Sequence, residues 1–337
     1  MKLVSEKNKP EIKAVGLISG GLDSLLAAKL IQNQGINVVG VCFESPFFDA
    51  KGAKKSVKPL GIPLIVIDIS AEYIEMIKNP RYGFGRNMNP CIDCHGLMVR
   101  QAGELMKEIG ASFVFTGEVL GQRPMSQRKD ALRCVEKLSG IDGYILRPLS
   151  AKLLPPTIPE QNGVVDREQL LDIQGRTRRR QQELAERWGI EIYQSPGGGC
   201  MLTKEGFSRK LKELMEKEPD FGVRDAELLK WGRHFRLPLQ TKLIIGRNRF
   251  DNQRILSLRT DTDTILKTSN YPGPIALIPM KEKEIPQEDL FLAANIVASY
   301  SDCPEGQSCW VMVSAEEDSR RVRAVKKKVA EYREYLI

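Results

Sequence analysis

The chain has 337 residues, 42% hydrophobic and 28% charged, with 51 Lys and Arg against 43 Asp and Glu and a net charge of +8. That length accommodates two domains with their own cores, and no apolar run approaches the roughly 18 residues of a membrane helix. The charged start, MKLVSEKNKPEIK, lacks an apolar signal core, so a cytoplasmic protein with no membrane partner is expected. The positive balance favours polyanionic partners, nucleic acid among them. Seven cysteines, an odd number, argue against a disulfide framework and for reactive or metal-binding thiols.

In chain order, KAVGLI (residues 13–18) predicts a short buried strand. SGGLDS follows, and then LLAAKLIQNQG, a helix closed by Gly35. INVVGVCFE predicts a second strand, KGAKKSVKPLG a helix ending at Gly61, and IPLIVIDIS a third strand. GLMVRQAGELMKEIG is a further helix and ASFVFTGEV a further strand. This alternation with short connections predicts βαβ units and an α/β fold with a doubly wound parallel sheet. AKLLPPTIPEQNGVV (residues 151–165) marks a connection, and DREQLLDIQGRTRRRQQELAERWG predicts one long charged helix. Beyond about residue 237 the texture changes. TKLIIGRNRFDNQRILSLRTDTDTILKT alternates apolar positions with turn residues and predicts strands. QEDLFLAANIVASYS predicts a helix, SCWVMVS a strand, and RRVRAVKKKVAEYREYL a basic terminal helix. A smaller α+β domain over 237–337 after a first domain over 1–236 is therefore expected.

The SGGLDS stretch places a glycine turn between a strand and a helix. Such a turn exposes backbone N–H groups at the positive end of the helix dipole, which is a phosphate site. Gly20 and Gly21 let a phosphate approach the backbone, and Ser19 and Ser24 add hydroxyls. Asp23 would repel a phosphate unless a cation lay between them, which implies Mg²⁺. No Lys follows the glycines, so the loop is not a Walker A loop.

Cys91 and Cys94, in NPCIDCHG, precede a helix, and Cys200 ends SPGGGC, a run flexible enough to carry its sulfur to distant groups. Three uses are open. A structural zinc site wants four ligands, and adjacent Cys94 and His95 rarely share one ion. A CxxC redox pair fits a helix start but leaves Cys200 without a role. Three thiolates suit an iron–sulfur cluster with one open iron. Cys42 reads as core, Cys134 as part of a helix, and Cys303 with Cys309 as a chance pairing across SDCPEGQSC.

Taken whole, strand, SGGxDS and helix resemble the PP-loop of the ATP pyrophosphatase family, a HUP-like fold, and TGEVLGQ resembles a second nucleotide-side motif of its thiouridine-forming branch. The resemblance implies cleavage of ATP between the α and β phosphates and adenylylation of a substrate oxygen. It implies that Ser19, Gly20, Gly21, Asp23 and Ser24 hold the pyrophosphate end, and that Leu17, Phe43, Thr116 and Gly117 line the nucleotide. NPCIDCH resembles the NPxxxC segment of MnmA-like tRNA thiolases through Asn89, Pro90 and Cys94, and SPGGGC resembles their second cysteine segment through Cys200. The additional Cys91 matches the cluster-dependent thiolases, TtuA-like and archaeal ThiI-like, and implies a [4Fe-4S] cluster on Cys91, Cys94 and Cys200. The cluster is preferred here to a persulfide and disulfide cycle. The resemblance covers about residues 13–235. The β-barrel of the MnmA-like enzymes and the paired zinc motifs of the TtuA-like ones are not evident.

GRTRRRQQELAER concentrates Arg176, Arg178, Arg179 and Arg180, and GQRPMSQRK adds Arg123 beside the nucleotide motif. With a tRNA thiolase implied, RNA contact is expected of these arginines rather than a merely solvated face. IIGRNRFDNQRIL, YPGPIALI and DLFLAANIVASYS resemble the RNA-binding NFACT-R (DUF814-like) module over about 238–315. The expectation is an ATP-dependent tRNA sulfurtransferase that uses ATP, Mg²⁺ and a cluster, with tRNA and a sulfur donor (sulfide or a persulfide carrier) as partners. The alternatives are a cluster-free persulfide relay, an iron–sulfur RNA-binding sulfur carrier without ATP chemistry, and an ATP pyrophosphatase acting on a small molecule.

Overall fold

The computed structural model describes residues 11–194, 199–280, 284–315 and 318–337. The chain forms two compact units, one ending at Lys204 and the other running from Glu205 to Ile337.

The first unit is built on a five-stranded parallel sheet in the order β3-β2-β1-β4-β5. Its strands are β1 (Lys13–Leu17), β2 (Asn37–Glu44), β3 (Leu64–Asp68), β4 (Phe113–Thr116) and β5 (Ile145–Leu146). Its helices are α1 (Leu22–Asn33), α2 (Lys51–Ser56), α3 (Ser70–Lys78), α4 (Cys91–Glu108), α5 (Lys129–Ser139), α6 (Ile158–Gln161) and α7 (Arg179–Arg187). Strands covered on both faces need continuous apolar runs, and FVFT of β4 is buried at all of its positions. Helix α1 is rich in Leu and Ala, and its end is marked by Gly35 at φ 74°. The doubly wound parallel fold expected from the alternation is the one observed. The strand order reverses between β1 and β4, so the chain segments leaving both strands open onto one crevice, where such sheets bind ligands.

The second unit carries a six-stranded antiparallel sheet, β11-β10-β8-β9-β7-β6. It comprises α8 (Glu205–Lys217), α9 (Val223–Leu228), β6 (Arg233–Arg236), β7 (Lys242–Ile245), α10 (Arg249–Ser257), β8 (Thr264–Thr268), β9 (Ala276–Ile278), α11 (Gln287–Ser299), β10 (Ser308–Ala315) and β11 (Asp318–Val325). Helix α11 packs its Ala293, Ala294 and Val297 against one sheet face, with Leu266, Val311 and Val313. On the other face Leu228 of α9 and Ile255 of α10 cover Ile244, Ile265 and Leu277.

Three segments differ from expectation. The stretch after residue 242 is not all strand: the Asn248 side chain accepts the Asp251 N–H at 2.9 Å, a helix N-cap, and α10 follows. The basic terminal segment is strand β11 and then a 3-10 stretch, Val329–Tyr335, because Val322 and Ala324 alternate into the core with a period of two. Of the long charged helix only Arg179–Arg187 is α-helical, since Gly175 takes φ 85° and Gln174 bridges to Leu120. The units also divide earlier than the change of texture near 237. Arg236 of β6 ties back to Glu213 and Glu218 at 2.6 and 2.8 Å, which joins α8 to the second sheet. Among the described residues no helix is long and apolar enough to cross a membrane.

Phe115 is fully buried, and its ring packs over Gly16, where a Cβ would come within 2.3 Å of it. Phe115→Ala is expected to cost about 3–5 kcal/mol, read as a lower urea midpoint with an unchanged slope.

Candidate active site

The loop after β1 turns at Gly20, whose φ of 81° and close neighbours Gly52 and Ala53 leave no room for a side chain. Gly21 caps α1 without a side-chain partner of its own, so the first N–H groups of the helix face outward. Ser24 Oγ donates to the Gly21 carbonyl at 2.8 Å and lies 3.4 Å from Ser19 Oγ. From the neighbouring strand, Gly117 approaches so closely that a Cβ on it would lie 2.5 Å from the Ser24 nitrogen. Leu17 and Phe43 sit at or near the carboxyl ends of β1 and β2. The residues named for the nucleotide therefore share one crevice end of the sheet.

Asp23 is the hub of this end. Its Oδ2 accepts from Gln122 Nε2 at 2.7 Å and from Arg178 Nη2 at 2.8 Å, while its Oδ1 is buried with no hydrogen-bond partner among the described residues. Gln122 is steadied in turn by the fully buried Gln181, which donates to it at 3.0 Å. A lone buried carboxylate oxygen facing a phosphate loop is the donor that a hard cation takes, so the residues present fit Mg²⁺.

The thiols lie on the same side. Cys91 and Cys94 open the first turn of α4, and Cys200 precedes a short 3-10 turn, Met201–Thr203. Ser195–Gly198 of the SPGGGC run lie outside the described residues. Both ends of that run are anchored: Gln194 donates its N–H to the Gly20 carbonyl at 2.9 Å, and Met201 donates to Phe47 at 2.8 Å. Asn87 donates to the Thr203 carbonyl at 2.7 Å, and Asn89 donates to Cys91 Sγ at 3.2 Å. The thiols of Cys91, Cys94 and Cys200 all act on one another electrostatically. Desolvation pushes the Cys94 thiol far above the usual range, against the hydrogen bond it receives from Tyr73. Burial raises Cys200 to about 11, although the Leu202 and Thr203 N–H groups and the charge of Arg123 pull it down. None of the three is in a disulfide.

Three thiols in mutual reach are a donor set that suits iron. Among the described residues, however, no three His, Cys, Asp or Glu side chains are gathered at metal-holding distance. The described structure thus brings the predicted thiols together without drawing them into ligand geometry.

His95 is not turned to the thiols. Its Nδ1 lies 2.8 Å from Glu118 Oε1, and Glu118 also accepts from Thr116 Oγ1 at 3.0 Å and from Arg147 Nε at 3.0 Å. Burial would raise the Glu118 carboxyl, but Arg147 and His95 outweigh it and hold the group at about 2. Thr116, buried at the end of β4, therefore serves the frame that holds Glu118.

Of the arginines, Arg178 is directed into the phosphate loop at Asp23. Arg179 and Arg180 pair with Glu183 and Asp172 at 3.0 and 2.8 Å, whereas Arg176 and Arg123 are exposed. Tyr73, Gln194, Gln181 and Arg147 carry no motif, and Glu118 lies inside TGEVLGQ without being marked out by it, so their roles emerge only from packing. Cys303 and Cys309 come together buried in the second core, where burial first and then Cys303 raise Cys309 to about 11.

Residues 11–152 match the thiamine biosynthesis protein (ThiI) family, and residues 232–336 match the NFACT protein RNA binding domain. Both resemblances seen in the sequence, to the ThiI branch of PP-loop proteins and to an NFACT-type RNA-binding domain, agree with these matches. Among particular relatives, a tRNA-specific 2-thiouridylase MnmA 2 from Thermoanaerobacter sp. (strain X514) is 34% identical over 168 residues, covering 42% of this chain and 44% of that protein. A tRNA-specific 2-thiouridylase MnmA from Syntrophotalea carbinolica is 35% identical over 130 residues, covering 34% and 36%. The chain thus spans less than half the length of these curated relatives. A solved 4-thiouridine synthetase–RNA complex with bound ATP is 23% identical, with a TM-score of 0.36 over 65% of this chain and 52% of that one.

The Glu118–Arg147 pair sets a pH test. The folded carboxyl, near 2, lies below its ordinary 4.5, so its contribution is complete above pH 4.5 and is lost as pH falls toward 2. Glu118→Gln removes one of the two carboxylates that hold the buried Arg147, leaving Glu136 as the other, and is expected to destabilise by about 1–3 kcal/mol at pH 7. The gap between variant and wild type should narrow below pH 4.5 in urea titrations at stepped pH.

Proposed function

We propose that the protein is an ATP-dependent tRNA sulfurtransferase that forms a thiouridine. The observation that most supports this reading is a two-residue step. Gln122 holds Asp23 of the phosphate loop, and the next residue, Arg123, acts on the thiol of Cys200. Nucleotide and sulfur chemistry are thereby served from one short segment. The match of residues 11–152 to the ThiI family and of the second unit to an RNA-binding domain supports the same reading.

In this mechanism the first N–H groups of α1, with Ser19 and Ser24, bind the β and γ phosphates of ATP. Mg²⁺ on Asp23 Oδ1 would neutralise charge on the phosphates. A uracil carbonyl oxygen attacks the α phosphorus, and pyrophosphate leaves along the loop. A sulfur nucleophile then adds to the activated carbon, and AMP departs with the former carbonyl oxygen. Arg178 compensates Asp23, and Arg123 holds negative charge near Cys200. Arg123 and Arg176, both exposed, are placed in this reading against tRNA phosphates. Cys91, Cys94 and Cys200 are the residues that would hold a [4Fe-4S] cluster, which would supply activation of sulfide for the transfer.

One observation favours a second reading. The thiols of Cys94 and Cys200 act on one another, and that pair by itself suffices for a relay. A persulfide on Cys200 would add its terminal sulfur to the activated carbon as AMP leaves. Cys94 would then attack the Cys200 sulfur, release the thiouracil and close a disulfide, which an external thiol reductant reopens.

With anaerobically prepared protein, tRNA, ATP and sulfide, Cys200→Ala is expected to abolish thiolation, read as thionucleoside by mass spectrometry, while tRNA-dependent pyrophosphate release continues. Asp23→Ala should lower pyrophosphate release by about 100-fold or more. Thiolation retained in full by Cys200→Ala removes that residue from the reaction. Iron-free protein that still thiolates favours the persulfide reading, and equal ATP turnover with and without tRNA returns the small-molecule alternative.

A further inference from the structure

The second sheet is covered unevenly. Helix α11 spans one face, whereas on the other face α9 and α10 cover Ile244, Leu277 and Ile265, on β7, β9 and β8. The outer two strands leave that face to solvent. Alternation along β10 buries Cys309, Val311 and Val313 and turns Ser308, Trp310 and Met312 outward. Register then sets Arg323 opposite Trp310, and Arg321 opposite Met312, on the same face. From the other side Lys267 of β8 also pairs with Met312. Trp310 is 43% exposed, and Arg321, Arg323 and Lys267 are exposed. The Nε of Arg323 donates to Ser308 Oγ at 3.1 Å, which keeps the guanidinium on this face of β10.

We propose that this face is a binding site for unpaired RNA, in which the Trp310 ring stacks on one base and Lys267, Arg321 and Arg323 take the flanking phosphates. The proposal rests on the reading of the second unit as RNA-binding and adds the strand type and the residues. Each cross-strand row offers a cation next to an apolar side chain, which complements a nucleotide, with its flat apolar base and charged phosphate. Bases inside a duplex are covered by their neighbours, so an exposed indole on a sheet selects single strands, while cations alone do not.

The test uses the full chain and two fluorescein-labelled probes, an unstructured ten-nucleotide RNA and an RNA duplex of the same length, with affinity read by anisotropy across a salt series. Trp310→Ala is expected to weaken single-strand binding by about tenfold or more and to leave duplex binding within about twofold. Trp310→Phe, which keeps a ring, should retain most of the affinity. Arg321→Gln and Arg323→Gln should each lower the salt slope by roughly 0.7–1. Unchanged single-strand affinity in Trp310→Ala, or a loss just as large in Trp310→Phe, overturns the stacking site while RNA binding by the unit stands. Wild-type protein that binds neither probe overturns the RNA-binding reading itself.

Discussion

A Cβ on Gly117 would lie 2.5 Å from the Ser24 nitrogen, and one on Gly20 would lie 2.7 Å from the Ala53 nitrogen. Bare backbone therefore meets bare backbone where the chain leaves β1 and β4, and the rest of the first unit is arranged around that approach. It leaves the start of α1 open to a phosphate and brings the TGEVLGQ segment near enough for Gln122 to reach Asp23. With side chains at those glycines the crevice would be filled, and the carboxylate would lose its second holder. The backbone pairing of Gln194 with Gly20 and Gly21 uses the same opening and brings the Cys200 segment to the loop.

Charge in the crevice is distributed in two ways. At the nucleotide end Asp23 is half compensated: one oxygen serves Gln122 and Arg178, and the other is buried without a partner among the described residues. At the sulfur end desolvation dominates and raises the thiols of Cys94 and Cys200. A bare thiolate is therefore not what this niche stabilises by itself. A sulfur nucleophile there must arrive charged or be bound to something that lowers its proton affinity. The buried Glu118–Arg147 pair, with His95, frames the loop between the two ends without entering either.

Much of the crevice was legible in the residues. SGGLDS is local: two glycines, two hydroxyls and a carboxylate within six positions announce a phosphate turn whatever surrounds them. The cysteines were legible as a set, but their convergence depends on Tyr73, Phe47 and Asn87, which lie in unremarkable helix or loop sequence. Arg178 sat in a run of four arginines with nothing local to separate it from its neighbours. Only the fold shows it turned inward to Asp23 while Arg179 and Arg180 pair along the surface.

The second unit shows the same division in its secondary structure. RRVRAVKKKVAEYREYL has the charge and length of an exposed helix, and Val322, Val325, Val329, Tyr332 and Leu336 recur at helical spacing. Pairing with β10 decides it, because Val322 and Ala324 find a core only if the segment is extended. The sequence by itself determined the parallel α/β domain, the phosphate loop and the inventory of thiols, since apolar runs, glycines and cysteines act through local geometry and chemistry. Tertiary structure alone decided which arginine meets Asp23, that His95 belongs to Glu118, and that Trp310 shares a face with Arg321 and Arg323. Those are contacts between distant segments, and their energies depend on desolvation and strand register that no local window contains.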